Sequence, residues 1–268
     1  MWNFLRRKLG TTQPAKSGER THAARLDKGF EDYKRSNPGA TFAQFYVDKA
    51  LRTINAGDAH STLGTRLYDK RPESQGESDF REAGRAAFAR YRKLLKMNPQ
   101  HKLVDYGCGS LRLGIHFIEY LEAGNYMGLD VTRDFIDIGV SAAKDLVARK
   151  YPELDAISPA SLAMAAAFEA DFVVSNAVSY HVHPDETDDY FANLARICAK
   201  PGARLMFDAK LADEPVRFRE RGWAWPLRFY VERLAPLSFV TAHKLSTIKD
   251  ERAGVAPMQS AVLEFRRA

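Results

Sequence analysis

One short stretch constrains the fold more than any other: an apolar run ends in an acid and turns through two glycines. It covers residues 103–114 and reads Leu-Val-Asp-Tyr-Gly-Cys-Gly-Ser-Leu-Arg-Leu-Gly. The apolar run predicts a strand, the glycines predict a tight turn, and the apolar spacing beyond them predicts a helix. A strand that passes through a glycine turn into a helix is the local geometry that holds anionic or nucleotide-like ligands.

Strand and helix patterns alternate from residue 102 onward. Strands are predicted at 102–106, 126–130, 154–158, 171–176 and 203–207, with helical patterns between them. Two late strands, 238–244 and 259–266, have only a polar loop between them, so an antiparallel hairpin is the simplest connection. Regular alternation predicts a parallel sheet that is covered by helices on both faces.

The N-terminal part of the chain has few strand signals. Residues 25–57 have a helical pattern in two pieces that Pro38 and Gly39 separate, with Thr41 as a cap, and a further helix is predicted at about 78–96. We therefore expect three parts: a flexible basic segment at 1–24, a helical cap at 25–100, and a ligand-binding domain at 101–268. The polar stretch 58–78 is predicted to be a mobile loop that acts as a lid.

The positive charge belongs to the N-terminal part. Residues 1–100 contain 20 basic and 11 acidic residues, whereas residues 101–268 contain 20 and 23. Two interpretations stay open: an anionic partner such as a membrane surface, a phosphorylated substrate or nucleic acid, or a solvated surface without a partner. Trp2, Leu5 and Leu9 recur at helical spacing among basic residues, which suits a peripheral contact with an anionic membrane.

The remaining composition indicates where the protein works. No apolar run approaches the roughly 18–20 residues that a membrane-spanning helix needs, and no secretory signal is visible. The two cysteines, Cys108 and Cys198, form no disulfide framework. We expect a cytoplasmic protein that associates peripherally, if at all, with the inner face of the membrane; no oligomeric state is indicated.

Two kinds of nucleotide-like ligand use a glycine-rich first turn and an acid after the second strand. In the dinucleotide fingerprint a third glycine allows close packing of the helix on the strand. Here Arg112 stands at that position, and a long cation is a poor replacement for glycine. Asp130 follows Gly109 by 21 residues, which suits the ribose hydroxyls of either ligand. The arginine disfavours a dinucleotide.

The chain resembles the class I S-adenosylmethionine-dependent methyltransferases at four places. These are the acid and glycine turn at 105–110, the second-strand acid at 128–131, the fourth strand and its loop at 171–182, and the Pro-Gly turn at 199–205. Four motifs in the right order are far more specific than one. The resemblance implies a Rossmann-like, doubly wound, mostly parallel seven-stranded sheet with an antiparallel last strand.

The resemblance also implies S-adenosylmethionine as the cofactor. Two glycines would let the backbone approach its amino-acid end, Asp130 would accept from both ribose hydroxyls, and Asp105 would accept from its ammonium group. Leu111 stands where the family often has a third glycine, so this turn must use negative φ there or tolerate strain. No acid after the third strand is available for the adenine, where Ser158 and Ser161 are weak substitutes. The predicted cofactor residues are Asp105, Gly107, Cys108, Gly109, Ser110, Arg112, Asp130, Val131 and Asn176.

Methyl transfer from a sulfonium requires alignment of the nucleophile and sometimes removal of a proton. His181 follows the fourth strand and is the candidate general base, while His183 before Pro184 is expected to start a helix. Neither the histidines nor the cysteines have the spacing of a metal site, so no metal is expected. No Asn-Pro-Pro-Tyr-like motif follows the fourth strand, so there is no strong nucleic-acid signal.

Aromatic and basic residues cluster after the fifth strand, where this fold often builds its acceptor pocket. Stacking and cations suit a sugar, a phosphate-bearing group or an aromatic acceptor. The predicted acceptor residues are Tyr180, Arg221, Trp223 and Trp225. We expect a methyltransferase that acts at an oxygen of a small-molecule or glycan-like acceptor. The alternative is a catalytically silent S-adenosylmethionine-binding module that docks on a membrane surface or RNA through its basic N-terminal segment.

Overall fold

The computed structural model describes residues 17–56, 73–218, 221–248 and 257–268. The helices are α1 (Ser17–Ser36), α2 (Phe42–Asn55), α3 (Glu73–Leu95), α4 (Gly114–Tyr120), α5 (Arg133–Ala142), α6 (Lys144–Lys150), α7 (Pro159–Ala167), α8 (Thr187–Ile197) and α9 (Leu227–Arg233). Two 3₁₀ helices, Ser179–His181 and Pro184–Glu186, precede α8. The strands are β1 (Leu103–Tyr106), β2 (Tyr126–Asp130), β3 (Glu153–Ala156), β4 (Phe172–Ser175), β5 (Arg204–Leu211), β6 (Val216–Phe218), β7 (Gly222–Ala224), β8 (Ser238–Ile248) and β9 (Met258–Arg266).

Seven of these strands form one twisted sheet in the order β3-β2-β1-β4-β5-β9-β8. β1 pairs in parallel with β2 and β4, β2 with β3, and β4 with β5. β9 runs antiparallel to both β5 and β8. The predicted mostly parallel, seven-stranded sheet with an antiparallel last strand is therefore confirmed. β6 and β7 form a separate two-stranded sheet.

The central strands are buried because helices cover both faces of the sheet. Every residue of β1, β2 and β4 is buried, as expected for parallel strands without a solvated face. Alternate side chains enter opposite layers: Val173 joins one apolar cluster, while Phe172 and Val174 join the other. Burial of each such apolar side chain stabilises the fold by about 1.5–3 kcal/mol.

Several elements differ from the predicted ones. The predicted helix after β2 is divided at Ala143 into α5 and α6. β5 continues to Leu211 because it pairs with β9 along its whole length. The irregular stretch 209–236 contains the β6–β7 hairpin and helix α9. Helix α1 begins at Ser17, inside the segment predicted as a linker. The remaining expectations for 1–16 and for residues 58–72 of the predicted lid lie outside the described residues. The rest of that predicted lid, residues 73–78, belongs to helix α3.

Helices α1 and α2 dock on the sheet domain through polar contacts at one end of α2 and on α1. The predicted cap of α2 is confirmed, because Thr41 and Gln44 form a capping box. The Glu186 carboxylate accepts hydrogen bonds from the backbone N–H groups of Phe42 and Ala43 at the start of α2. Anionic groups are favourable at a helix N-terminus. On α1, Asp27 forms a bidentate ion pair with Arg217 at 2.7 and 3.0 Å.

Helix α3 packs directly on the turn between β1 and α4. A Cβ atom built at Gly84 would lie 2.0 Å from the backbone oxygen of Arg112. Gly84 thus allows a helix–loop contact that no larger residue permits without a shift. About two helical turns after Gly84, the buried Tyr91 hydroxyl donates to the carboxylate of Asp208 in β5 at 2.5 Å. Helix α3 is thereby tied to both the glycine turn and the sheet.

Candidate active site

A cavity of about 640 Å³ opens at the carboxyl ends of β1, β2 and β4. Thr41, Phe42 and Tyr46 of the α2 region and Phe80 of α3 also line it. The sheet reverses its order between β1 and β4, and ligands of open α/β sheets bind at such a switch point. The volume lies within the usual range of small-molecule sites, about 300–1,000 Å³.

The glycine turn after β1 forms one wall of the cavity. Gly107 has φ +87°, and a Cβ atom there would lie 2.4 Å from Cγ2 of Val178, so glycine is required by close approach of the loop after β4. Gly109 has φ +54°, and a Cβ atom there would meet nothing within 4 Å. The backbone at Gly109 therefore has open space beside it for a ligand.

Leu111 adopts a left-handed conformation in the same turn, with φ +60°. This conformation costs an L-residue about 1–2 kcal/mol. The Leu111 side chain is 2% exposed and packs on α5, where a Cβ atom at Gly139 would lie 2.9 Å from its Cγ. Of the two expectations for this position, the strained backbone is the one observed, and burial of the side chain offsets the strain.

Asp130 ends β2 and presents its carboxylate to the cavity. Its side chain accepts hydrogen bonds from the backbone N–H of Gly109 at 2.7 Å and of Val131 at 2.9 Å. Burial raises the pKa of Asp130 to about 6, although these backbone donors oppose the shift. An ionised carboxylate has about four acceptor positions, so two backbone donors leave capacity for a pair of ligand hydroxyls.

Asp105 lies deeper, in β1, and is 1% exposed. It accepts a hydrogen bond from the Tyr126 hydroxyl at 2.9 Å. Burial raises the pKa of Asp105 to about 7, and the nearby charge of Asp130 adds to the shift. A ligand cation beside Asp105 would favour its ionised form and lower that pKa. The site therefore has an electrostatic place for an ammonium group.

His181 ends the first 3₁₀ helix and lines the cavity on the β5 side. Its Nδ1 lies 2.8 Å from the backbone oxygen of Arg221. A carbonyl oxygen only accepts, so Nδ1 carries the proton and Nε2 holds the lone pair of the neutral ring. His183 instead accepts from the backbone N–H of Asp185 at 3.3 Å and starts the second 3₁₀ helix, as expected.

Arg221 and Tyr180 complete this side of the cavity. The Arg221 guanidinium carbon lies 4.2 Å from the ring centroid of Tyr46, which α2 contributes. The Tyr180 ring lies 4.3 Å from the ring of His181, and the Lys210 ammonium lies 4.5 Å from the Tyr180 ring. Aromatic rings therefore pack against His181, Arg221 and Lys210.

Comparison with known proteins identifies the fold. No protein-family model and no curated protein sequence matches the chain. Among solved structures, the magnesium protoporphyrin IX methyltransferase ChlM from Synechocystis PCC 6803 with bound SAH matches 83% of this chain and 100% of its own, with a TM-score of 0.53 and 13% identity. A geranyl diphosphate methyltransferase in complex with SAM matches 68% of this chain and 85% of its own, with a TM-score of 0.51 and 16% identity. The [4+2]-cyclase SpnF matches 69% of this chain and 81% of its own, with a TM-score of 0.53 and 15% identity.

The chain has the class I methyltransferase fold. Within this fold the described cavity brings together all nine residues predicted to contact the cofactor: Asp105, Gly107, Cys108, Gly109, Ser110, Arg112, Asp130, Val131 and Asn176. Of the residues predicted to do chemistry or to contact an acceptor, His181, Tyr180 and Arg221 line the same cavity. No helix in the described part of the chain combines the length and apolar character needed to cross a bilayer.

The donor set fits S-adenosylmethionine. Asp130 offers acceptors for two hydroxyls, Asp105 suits an ammonium group, and the open backbone at Gly109 gives room for the chain between them. Val131 is 47% exposed beside Asp130, and Ile157 lines the cavity after β3, so apolar surface is available for a flat base. This part of the methyltransferase fold has the chemistry that the cofactor requires.

Ser158 and Ser161 are not available for the adenine in the way the sequence suggested. They form the capping box of α7. The buried Ser161 hydroxyl also donates to the backbone oxygen of Ala156 at 2.8 Å. Both hydroxyls are therefore used in starting the helix. Ile157 lies between β3 and this cap and lines the cavity, although it was not among the predicted site residues.

The prediction that Trp223 and Trp225 contact the acceptor needs correction, because neither side chain lines the cavity. Both are 4% exposed. Trp223 packs edge-on against Phe42, and Trp225 stacks on Phe229 with ring centroids 4.1 Å apart. They belong to the apolar core that joins the β6–β7 hairpin to the cap helices. An aromatic-basic sequence pattern does not distinguish a buried tryptophan from one at a binding surface.

Tyr46 and Phe80 line the cavity but were not among the predicted site residues. Both lie in the helical cap, where apolar spacing indicates only that a helix face is buried. Arg112 lies with its guanidinium carbon 5.7 Å from the Phe80 ring centroid. The cap therefore supplies an aromatic ring to each of two cavity arginines, Arg112 and Arg221. Sequence spacing carries no signal for this pairing, because the partners come from distant segments.

Proposed function

We propose that this chain is an S-adenosylmethionine-dependent methyltransferase that methylates an oxygen of a small-molecule or glycan-like acceptor. One observation carries the proposal. The same cavity joins the glycine turn and Asp130 to His181, whose Nδ1 bond to Arg221 leaves Nε2 as the basic nitrogen. A predicted cofactor site and a candidate general base thus share one cavity at the switch point of the sheet.

The cofactor, when bound, supplies a methyl group on a positively charged sulfur. Asp130 would accept from its ribose hydroxyls, and Asp105 would accept from its ammonium group. Arg112 beside the turn would pair with its carboxylate. Val131 and Ile157 would pack against the adenine ring. These roles use the residue types that the cavity offers at the ends of β1, β2 and β3.

His181 would accept the proton of the acceptor hydroxyl at Nε2 while that oxygen takes the methyl group. The bond between the methyl carbon and sulfur would break, its electron pair would stay on sulfur, and S-adenosylhomocysteine would be the leaving group. The carbonyl oxygen of Arg221 holds the ring through Nδ1 and stabilises the imidazolium that results. Tyr180 and Tyr46 provide ring faces on either side of this corner. Positioned general bases of this kind contribute about 10²–10⁴-fold to rate.

Calorimetric titration of the full chain with S-adenosylmethionine and S-adenosylhomocysteine tests the cofactor site. Formation of S-adenosylhomocysteine with a panel of phenols, hydroxy acids and sugars tests transfer. His181→Gln should lower turnover about 10²–10⁴-fold and leave cofactor affinity unchanged. His101→Gln, in the turn before β1 and remote from the cavity, is the matched control. Failure of both ligands to bind at millimolar concentration would refute the cofactor site, and unchanged turnover in His181→Gln would remove the base.

A catalytically silent cofactor-binding module is the second candidate. The fold by itself does not require methyl transfer, since one matching structure is a [4+2]-cyclase. Binding of S-adenosylhomocysteine without turnover on any acceptor would favour this function. Its docking on an anionic membrane or RNA through the N-terminal segment stays a prediction. Salt-sensitive retention of the chain on anionic vesicles or RNA, lost on removal of residues 1–16, would support it.

A further inference from the structure

We propose that the acceptor carries a carboxylate or phosphate group, and that Arg221 binds this oxyanion next to His181. The inference deepens the proposed function and rests on it, because it names the chemical class of acceptor for the same cavity. A neutral sugar or a neutral phenol would not satisfy the charge that the cavity presents at this corner.

Arg221 is half-buried and lines the cavity. Its guanidinium carbon lies 4.2 Å from the Tyr46 ring centroid, a cation–π contact that holds the planar group against α2. Within the described part of the chain, no carboxylate lies within ion-pair distance of it. Stacking orients the guanidinium but does not neutralise it, and its N–H edge suits bidentate binding of an oxyanion.

Three of the four carboxylates that line the cavity are engaged elsewhere, and the fourth, Asp189, is exposed and forms no ion pair with Arg221. Glu186 accepts from the backbone N–H groups at the start of α2. Asp130 accepts from Gly109 and Val131, and Asp105 accepts from Tyr126. Burial favours the neutral forms of all three, because it raises the pKa of each carboxyl group. These three buried or half-buried acids are thus occupied in holding the cavity walls, and none of the four lining carboxylates pairs with Arg221.

Arg217 provides an internal contrast. It lies on β6 of the same hairpin and forms a bidentate ion pair with Asp27 of α1, which ties the hairpin to the cap. An arginine with a structural role in this hairpin therefore has a carboxylate partner in the described structure. Arg221, four residues later, is directed at the cavity instead.

The cavity has two arginines, and different helices of the cap hold them. Arg112 follows the glycine turn and rests on Phe80 of α3, on the side where the cofactor's own carboxylate is expected. Arg221 lies beyond β4, where its backbone oxygen accepts from His181 Nδ1. An oxyanion bound by Arg221 would bring the rest of the acceptor beside the proposed base. Two anions, one on the cofactor and one on the acceptor, account for both cations.

The test uses the full chain saturated with S-adenosylhomocysteine, which first reports whether the cofactor binds. Calorimetry or ligand-observed NMR then measures the affinity of anionic probes and their neutral counterparts. Para-hydroxybenzoate is compared with para-hydroxybenzamide, D-glucuronate with D-glucose, and phenyl phosphate with phenol. The carboxylate and phosphate arms show which oxyanion the site prefers. We expect the anionic member of at least one pair to bind about tenfold more tightly or better.

Arg221→Gln should abolish this preference without changing affinity for S-adenosylhomocysteine. Arg221→Lys should retain part of it, because charge remains but the planar fork is lost. Tyr46→Leu should weaken anionic probes about two- to fivefold, whereas Tyr46→Phe keeps the ring and should not. Arg228→Gln removes an exposed arginine of α9 and is the matched control.

Two results would overturn the assignment while leaving the proposed function intact. One is binding of S-adenosylhomocysteine with no preference for any anionic probe. The other is an anionic preference that persists in Arg221→Gln. If S-adenosylhomocysteine itself does not bind, the proposed function fails and the acceptor assignment fails with it. The titration with S-adenosylhomocysteine comes before any probe is added, so it distinguishes this failure from the other two.

Discussion

Asp130→Asn is the substitution whose effect can be worked out furthest from the structure. The Asp130 carboxyl is 6% exposed and accepts from the backbone N–H groups of Gly109 and Val131. It is also the group proposed to bind the ribose hydroxyls. The amide keeps the shape of the side chain, removes its charge and replaces one acceptor oxygen with a donor. We therefore expect a small change in stability and a large change in cofactor affinity.

The stability estimate follows from the pKa of Asp130. Burial raises this pKa from 3.8 to about 6, and one pKa unit corresponds to about 1.36 kcal/mol. In the ligand-free protein the ionised group therefore destabilises the fold by about 3 kcal/mol at neutral pH. The folded state binds the proton more tightly, so this penalty is absent below the unfolded pKa and grows until the pH passes about 6. Asn removes the penalty but leaves one backbone N–H facing a donor, which costs about 1–3 kcal/mol.

The two terms have opposite signs, so the free energy of unfolding of the ligand-free variant should stay within about 2 kcal/mol of the wild type at neutral pH. Binding has no such compensation. Loss of charge-assisted hydrogen bonds to the ribose should cost about 1.5–3 kcal/mol, or about 10- to 100-fold in the Kd for S-adenosylhomocysteine. Affinity and stability are thereby separated in one variant.

The assay is calorimetric titration with S-adenosylhomocysteine over a range of pH, with urea unfolding in parallel. Wild-type affinity should fall as pH drops through about 7 and then about 6, because first Asp105 and then Asp130 becomes protonated. The difference between wild type and Asp130→Asn should shrink as the pH drops through about 6. Asp137→Asn is the control, since that exposed α5 carboxylate pairs only with Arg133 among the described residues. Wild-type affinity in a folded Asp130→Asn variant at neutral pH would refute the ribose assignment.

Two further substitutions probe the turn itself. Gly84→Ala should lower Tm although alanine is favoured in helices by about 1 kcal/mol, because its Cβ atom would lie 2.0 Å from the Arg112 backbone oxygen. Binding of S-adenosylhomocysteine should weaken as well. Ala83→Gly on the exposed face loses only helix propensity and should leave this binding unchanged, and a raised Tm of Gly84→Ala would contradict the contact. Leu111→Gly should relieve about 1–2 kcal/mol of backbone strain but lose about 2–5 kcal/mol of buried packing. Urea unfolding should therefore show a free energy of unfolding lower by about 1–3 kcal/mol. A higher free energy of unfolding would show that strain outweighs packing.

The glycine turn and its flanking strands were predictable because their signals are local. Two glycines with positive φ, an acid at each strand end and apolar runs between them depend on residues close together in sequence. The mostly parallel sheet followed from alternation of strands and helices, and its antiparallel last strand from the predicted hairpin and the family resemblance. The caps were also local: Thr41 bonds to Gln44, and His183 bonds to Asp185. Side chains that act within one turn of the backbone can be assigned from the chain alone.

The contents of the cavity were decided by tertiary structure. Periodicity indicates that Tyr46 and Phe80 lie on apolar helix faces, but only docking of the cap places them over Arg221 and Arg112. The same packing buries Trp223 behind Phe42 and removes it from the proposed acceptor surface. These partners are separated by many residues, and periodicity does not record which distant segment covers a buried face.

At Leu111 the sequence and the tertiary structure each determine part of the conformation. From the sequence, a leucine at a glycine position of the turn allowed either a negative φ or a strained backbone. The structure has φ +60° at this residue, with its side chain buried against α5. Local sterics determined the two choices. Packing between segments selected one, because burial of a large apolar side chain stabilises by more than the left-handed conformation costs.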